Sequence, residues 1–138
     1  MNEIPDIKHY GIGDRIYVQA QRIWLVLVAF VMSPTRKPRD PKTITYGEVA
    51  ELMGYPDRRA GHMLGRQLGI VGTYCIRNGL PPLNAIVVTE ATGMPGDEVL
   101  LRPGRTPEQE QRAVMDEDWF ALRMPTTGTL RKVWDSMN

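Results

Sequence analysis

The chain has 138 residues, 42% of them hydrophobic and 24% charged, and a net charge of +1. That length supports one domain with a core of its own, and that composition excludes wholesale disorder. A single cysteine, Cys75, excludes an intrachain disulfide, and no Cys/His cluster has zinc spacing, so a reducing, cytoplasmic setting is the expectation.

We read residues 1–138 as one domain, with an arm over 1–13, a central unit over 43–101 and a helical extension over 105–138. Met1 to Asp6 has neither the basic nor the apolar stretch of a secretory signal, and none is expected. Asp14 is placed to cap a helix from about Arg15 to Ser33, closed by Pro34. The apolar run Ile23 to Met32 within it is shorter than the roughly 20 residues a bilayer requires, so it reads as a buried helix rather than a membrane span. Pro34 to Lys42 is basic and broken by prolines, which excludes helix. It is either a solvated connector or a phosphate-contacting loop, with Lys37 and Arg39 as the candidate contacts.

The central unit is the most informative. Thr45-Tyr46-Gly47-Glu48 has the form of a capping box, followed by an apolar helical face at Val49, Ala50, Leu52 and Met53. Gly54-Tyr55-Pro56 stops that helix, and Asp57 is a plausible cap for a second one through Met63, Leu64, Leu68 and Val71, as far as Ile76. Two short helices joined across a Gly-containing turn form a helix-turn-helix pattern. Leu83 to Thr89 reads as a strand, Ala91 to Gly96 as a turn and Glu98 to Leu101 as a return strand, which together predict a β-hairpin wing. Further on, Thr106-Pro107 opens another helix, and a last one is expected from about Thr129 to Ser136. The fold class expected is therefore α+β: a winged helix-turn-helix with additional helices at both ends.

Charge is unevenly distributed. Between Pro34 and Gly79 lie eight Lys/Arg (Arg36, Lys37, Arg39, Lys42, Arg58, Arg59, Arg66, Arg77) against four acids (Asp40, Glu48, Glu51, Asp57). From Arg105 to Asp118 the sign reverses, with Arg105 and Arg112 set against five acids. In a helix-turn-helix the second helix lies in a groove, so Arg58, Arg59, His62 and Arg66 are the candidate cations there, while the capped first helix offers backbone amides and the Tyr46 phenol to a phosphate. Arg58 and Arg59 have a plainer alternative as solvated surface arginines, and His62 as an ordinary satisfied or exposed histidine. Gly61, Gly65, Gly69 and Gly72 either permit close approach to a duplex or pack the helix against its neighbours. Trp24, Trp119 and Trp134 read as core in preference to stacking platforms, and Cys75 as a buried structural thiol.

Enzyme templates fit poorly. No Gly-rich phosphate loop, His-Glu-x-x-His or Gly-x-Ser-x-Gly motif occurs, and no cofactor or metal is expected. Asp116-Glu117-Asp118 lacks the spaced oxygen ligands of a cation site and reads as a solvated face.

The run from Ile44 to Pro56 resembles the first part of the helix-turn-helix in the DNA-binding domain of O6-alkylguanine-DNA alkyltransferases and alkyltransferase-like proteins. Leu80-Pro81, Val87-Val88 and Gly93 are similar to the strand and turn of that domain's active-site segment, so the likeness covers about 50 residues. It implies a DNA-repair setting, a phosphate-contacting role for Tyr46 and an arginine on the second helix that fills the space of a flipped base. Alignment on Gly54 and Pro56 puts Ala60 at that arginine's position, and alignment on Gly65 puts His62 there, with Arg58, Arg59 and Arg66 as substitutes. Counting back from Val87-Val88 puts Asn84 where the family's accepting cysteine stands, and an amide is no nucleophile toward an alkylated base. The resemblance therefore implies a non-catalytic protein that binds duplex DNA mainly through phosphates. Two other readings stay open: a winged-helix scaffold that binds another protein through Trp119-Phe120, and a small metal-dependent nuclease using Asp116, Glu117 and Asp118.

Overall fold

The computed structural model describes residues 3–34 and 41–137, so Lys37 and Arg39 lie outside the described residues. The first helix, α1, spans Ile16–Met32 and turns Ala20, Ile23, Trp24, Leu27 and Val28 inward, the three- and four-residue spacing of a buried face. Asp14 does not cap it. Its carboxylate instead accepts the Gly11 N–H at 2.8 Å, closing a turn in the arm, and α1 begins without a side-chain cap.

The other end of α1 is capped from a distance. The Lys42 ammonium donates to the Phe30 and Ser33 carbonyls at 2.5 and 2.7 Å and lies 4.7 Å from the centre of the Phe30 ring. A cation over the last turn's unsatisfied carbonyls meets both the helix dipole and the orphan acceptors. Burial lowers the Lys42 pKa, yet three oxygens hold the proton in place. Replacing it with methionine, which keeps the stem and removes the donors, is expected to cost about 1–2 kcal/mol in urea denaturation; no change would remove the cap from this account.

Strand β1 is Ile44–Thr45, and helix α2 is Tyr46–Leu52. The capping box forms as the sequence predicts: Thr45 Oγ1 accepts the Glu48 N–H at 3.1 Å, and Glu48 accepts the Thr45 N–H at 3.2 Å. Gly54, at φ +82°, then turns the chain as only glycine does without strain.

The second helix is not continuous. It starts as a 3-10 turn over Arg58–Met63 capped by Asp57, breaks at Leu64, and resumes as α3 over Gly65–Arg77. Gly61 explains the tight first segment, because a Cβ there would lie 2.5 Å from the Tyr46 carbonyl oxygen. The turn is pressed against the backbone of α2, and the cations predicted for one helix are divided between two elements.

The predicted wing also differs. Leu83–Ile86 is a buried 3-10 turn, and only Val87–Val88 forms a strand, β2, which pairs in parallel with β1 in the register Ile44 to Val87 and Thr45 to Val88. A parallel pair needs a long crossover, which α2, the 3-10 turn and α3 supply. Glu98 to Leu101 is not a strand. The hairpin contracts to one antiparallel bridge between Val88 and Pro95, closed by the Thr89 N–H on the Met94 carbonyl at 2.9 Å. Pro95 has no N–H to extend a ladder, and the next amide, that of Gly96, is engaged by Tyr46.

Helices α4 (Pro107–Asp116) and α5 (Thr127–Met137) complete the fold, α4 with proline in its first turn and a Thr106–Gln109 capping box. The core gathers α1, α3, the Leu83–Ile86 turn and one face each of α4 and α5. Trp24 stands edge-on to Tyr74 and Trp119 at 5.6 and 5.5 Å, and the Trp119 indole N–H donates to the Val114 carbonyl at 2.7 Å. The chain is thus a helix-rich mixed fold around a two-stranded parallel sheet. Among the described residues no helix is long and apolar enough to cross a membrane.

Candidate nucleic-acid interface

A cleft of about 460 Å³ opens where the 3-10 turn, the start of α2 and the loop after β2 meet. Tyr46, Arg58, Arg59 and His62 line it on the helical side, and Glu90 and Glu98 line it from the loop. Four residues that the sequence singles out thus share one cavity. Arg66 borders a neighbouring cleft that shares His62 and Gly65, and among the described residues it makes no hydrogen bond or ion pair.

The cations are not bare. Arg58 Nε lies 3.0 Å from Glu51 Oε1, and Arg59 Nη2 lies 2.8 Å from Asp57 Oδ2. The Arg59 guanidinium holds the Asp57 carboxyl below the usual carboxylate range, and Asp57 in turn raises the Arg59 pKa. All four side chains are about half exposed or more, and pairs of that kind hold weakly against solvent.

Tyr46 is the most constrained side chain of the site. Its hydroxyl accepts the Gly96 N–H at 2.9 Å and donates to the Glu98 carboxylate. Burial, then the hydrogen bond to Glu98 and that group's charge, raise the phenol pKa against the small opposing effect of the Gly96 amide. At this helix start the capping box takes up the Glu48 and Thr45 amides, and that of Gly47 has no hydrogen-bond partner among the described residues. Glu98 is a site residue that the sequence reading missed. It lies 52 positions from Tyr46, and its only signal was an acid beside a turn-forming segment.

Asn84 lies elsewhere. It is 1% exposed in the Leu83–Ile86 turn and is not part of the cleft lining, so the position aligned with a nucleophile is a core position here. Its amide faces α3 at Gly72, where a Cβ would come within 2.3 Å of Oδ1, and neither polar atom of the side chain has a hydrogen-bond partner among the described residues. From α4, Gln111 fixes the turn by donating to the Ala85 carbonyl at 3.0 Å.

The remaining candidates separate cleanly. Burial pushes the Cys75 thiol up to about 12, which leaves it inert as a nucleophile. Trp119 is core and cannot anchor a partner, although its neighbour Phe120 is exposed. Among the described residues no three His, Cys, Asp or Glu side chains gather as metal ligands, Asp116, Glu117 and Asp118 included. Comparison of the chain with protein-family models, with curated proteins and with solved structures gives no match.

Proposed function

We propose that this protein is a non-catalytic DNA-binding protein of the alkyltransferase-like, winged-helix kind, contacting duplex DNA mainly through its phosphates. The observation that carries the reading is the convergence of Tyr46, Arg58, Arg59 and His62 on one cleft, with Arg66 on the neighbouring cleft that shares His62. Arginine presents a planar fork suited to phosphate oxygens, and the acids that now hold Arg58 and Arg59 do so at exposed positions where a polyanion competes well. The short loop closed by the Val88–Pro95 bridge takes the place of a longer wing.

Binding of this kind releases counterions, so affinity is expected to fall steeply with salt. Replacing Arg58 and Arg59 together with alanine should weaken binding of a fluorescein-labelled duplex and lower the slope of log K against log salt by about two, near 0.9 for each phosphate that the pair no longer neutralises. Salt-independent binding, or no change in slope, refutes the reading.

A further inference from the structure

Besides Tyr46, which its interior hydrogen bonds hold in place, the cleft holds acids on the wall opposite its arginines, an arrangement that phosphate binding alone does not require. Phosphate oxygens need donors. The one donor of the Tyr46 hydroxyl is directed to Glu98, and its acceptor side takes the Gly96 N–H, so the phenol has nothing to offer an incoming anion. The loop is seated closely enough that a Cβ on Gly96 would lie 2.3 Å from the Tyr46 hydroxyl oxygen. The Glu98 carboxylate therefore occupies the position in which a phosphate oxygen would meet Tyr46, and it carries the same sign of charge.

We propose that Glu98 is an internal latch, a carboxylate that stands in for phosphate on Tyr46, holds the loop after β2 against α2, and must be displaced before nucleic acid engages the cleft. The proposal rests on the nucleic-acid reading and adds a restraint to it. Glu90 provides the comparison, because it lines the same cleft and makes no hydrogen bond to Tyr46. Removing its charge changes the field in the cleft and leaves the latch shut.

The test is a titration of a short fluorescein-labelled duplex with wild type, Glu98→Gln, Glu90→Gln, Tyr46→Phe and the Tyr46→Phe/Glu98→Gln double variant. Glu98→Gln is expected to tighten binding about tenfold and Glu90→Gln about twofold or less. In the Tyr46→Phe background, where no hydroxyl remains to be released, Glu98→Gln should give no more than Glu90→Gln gives in wild type. Equal gains from the two acid variants, or a Glu98→Gln gain that persists in full without the Tyr46 hydroxyl, would show simple charge removal and overturn the latch. Binding by wild type with no gain in Glu98→Gln removes the latch alone. No binding by either removes the nucleic-acid reading and the latch with it.

Discussion

Replacing Arg102 with methionine should destabilise the protein by about 3–5 kcal/mol, the loss that follows when one partner of a buried ion pair is removed. The other partner is Glu110, whose side chain has no solvent exposure. It accepts from the Arg102 backbone N–H at 3.0 Å and from the guanidinium at 2.7 and 3.1 Å, with Arg105 at 3.8 Å as the only other cation on it among the described residues. Without Arg102 a buried carboxylate must either remain charged with one distant partner or take up a proton. Domains of this size have about 5–15 kcal/mol in all, so the variant should unfold at visibly lower urea. A midpoint within about 1 kcal/mol of wild type would contradict this account, whereas recovery in Arg102→Met/Glu110→Leu would support it.

The same pair sets an acid limit. Burial by itself would raise the Glu110 carboxyl, but the hydrogen bonds and charge of Arg102, helped by Arg105, outweigh it and hold the group below its ordinary value of 4.5. A carboxyl with a depressed folded pKa contributes stability that is complete above its unfolded pKa and is lost as pH falls through the folded one. The unfolding midpoint should therefore begin to drop below about pH 4.5 in wild type, and the Arg102→Met/Glu110→Leu variant should show a shallower drop.

The second large effect is expected at Gly61. An alanine Cβ would sit 2.5 Å from the Tyr46 carbonyl oxygen, 2.6 Å from its carbon and 2.9 Å from the Gly47 nitrogen. All three are backbone atoms and cannot rotate away, so the 3-10 turn must lift from α2. We expect a loss of about 1–3 kcal/mol, together with loss of duplex binding as Arg58, Arg59 and His62 leave the cleft. Gly65→Ala is the control: its nearest neighbour would be a Glu98 side-chain atom at 3.9 Å, and alanine favours the first turn of α3. Equal stability for the two variants would show that the turn is not held by this approach.

What the sequence made legible was local. The capping box at Thr45 and Glu48 and the proline start of α4 each depend on residues within a turn or two of one another, and each is where the pattern puts it. The contacts that shape the cleft are not of that kind. Ile44 finds Val87, Tyr46 finds Glu98 and Lys42 finds the end of α1, and no spacing rule announces such pairs. The β-branched run from Leu83 predicts a longer strand, but Leu83–Ile86 is buried as a 3-10 turn with Asn84 packed against Gly72 of α3. Counting charge along the chain also overstated the basic surface. Lys42 is inside the fold, with its ammonium on the carbonyls that end α1.

The parallel pairing of Ile44–Thr45 with Val87–Val88 has a consequence for how the cavity comes into being. Its two sides belong to stretches of chain that meet only after the whole intervening segment has closed on itself, an entropic cost met before any interaction across the gap rewards it. Neither side is a module. A fragment ending before Val87 would lack the opposite wall and the strand that fixes the near one, so the recognition surface is a property of the closed chain and should disappear as a unit when that closure fails.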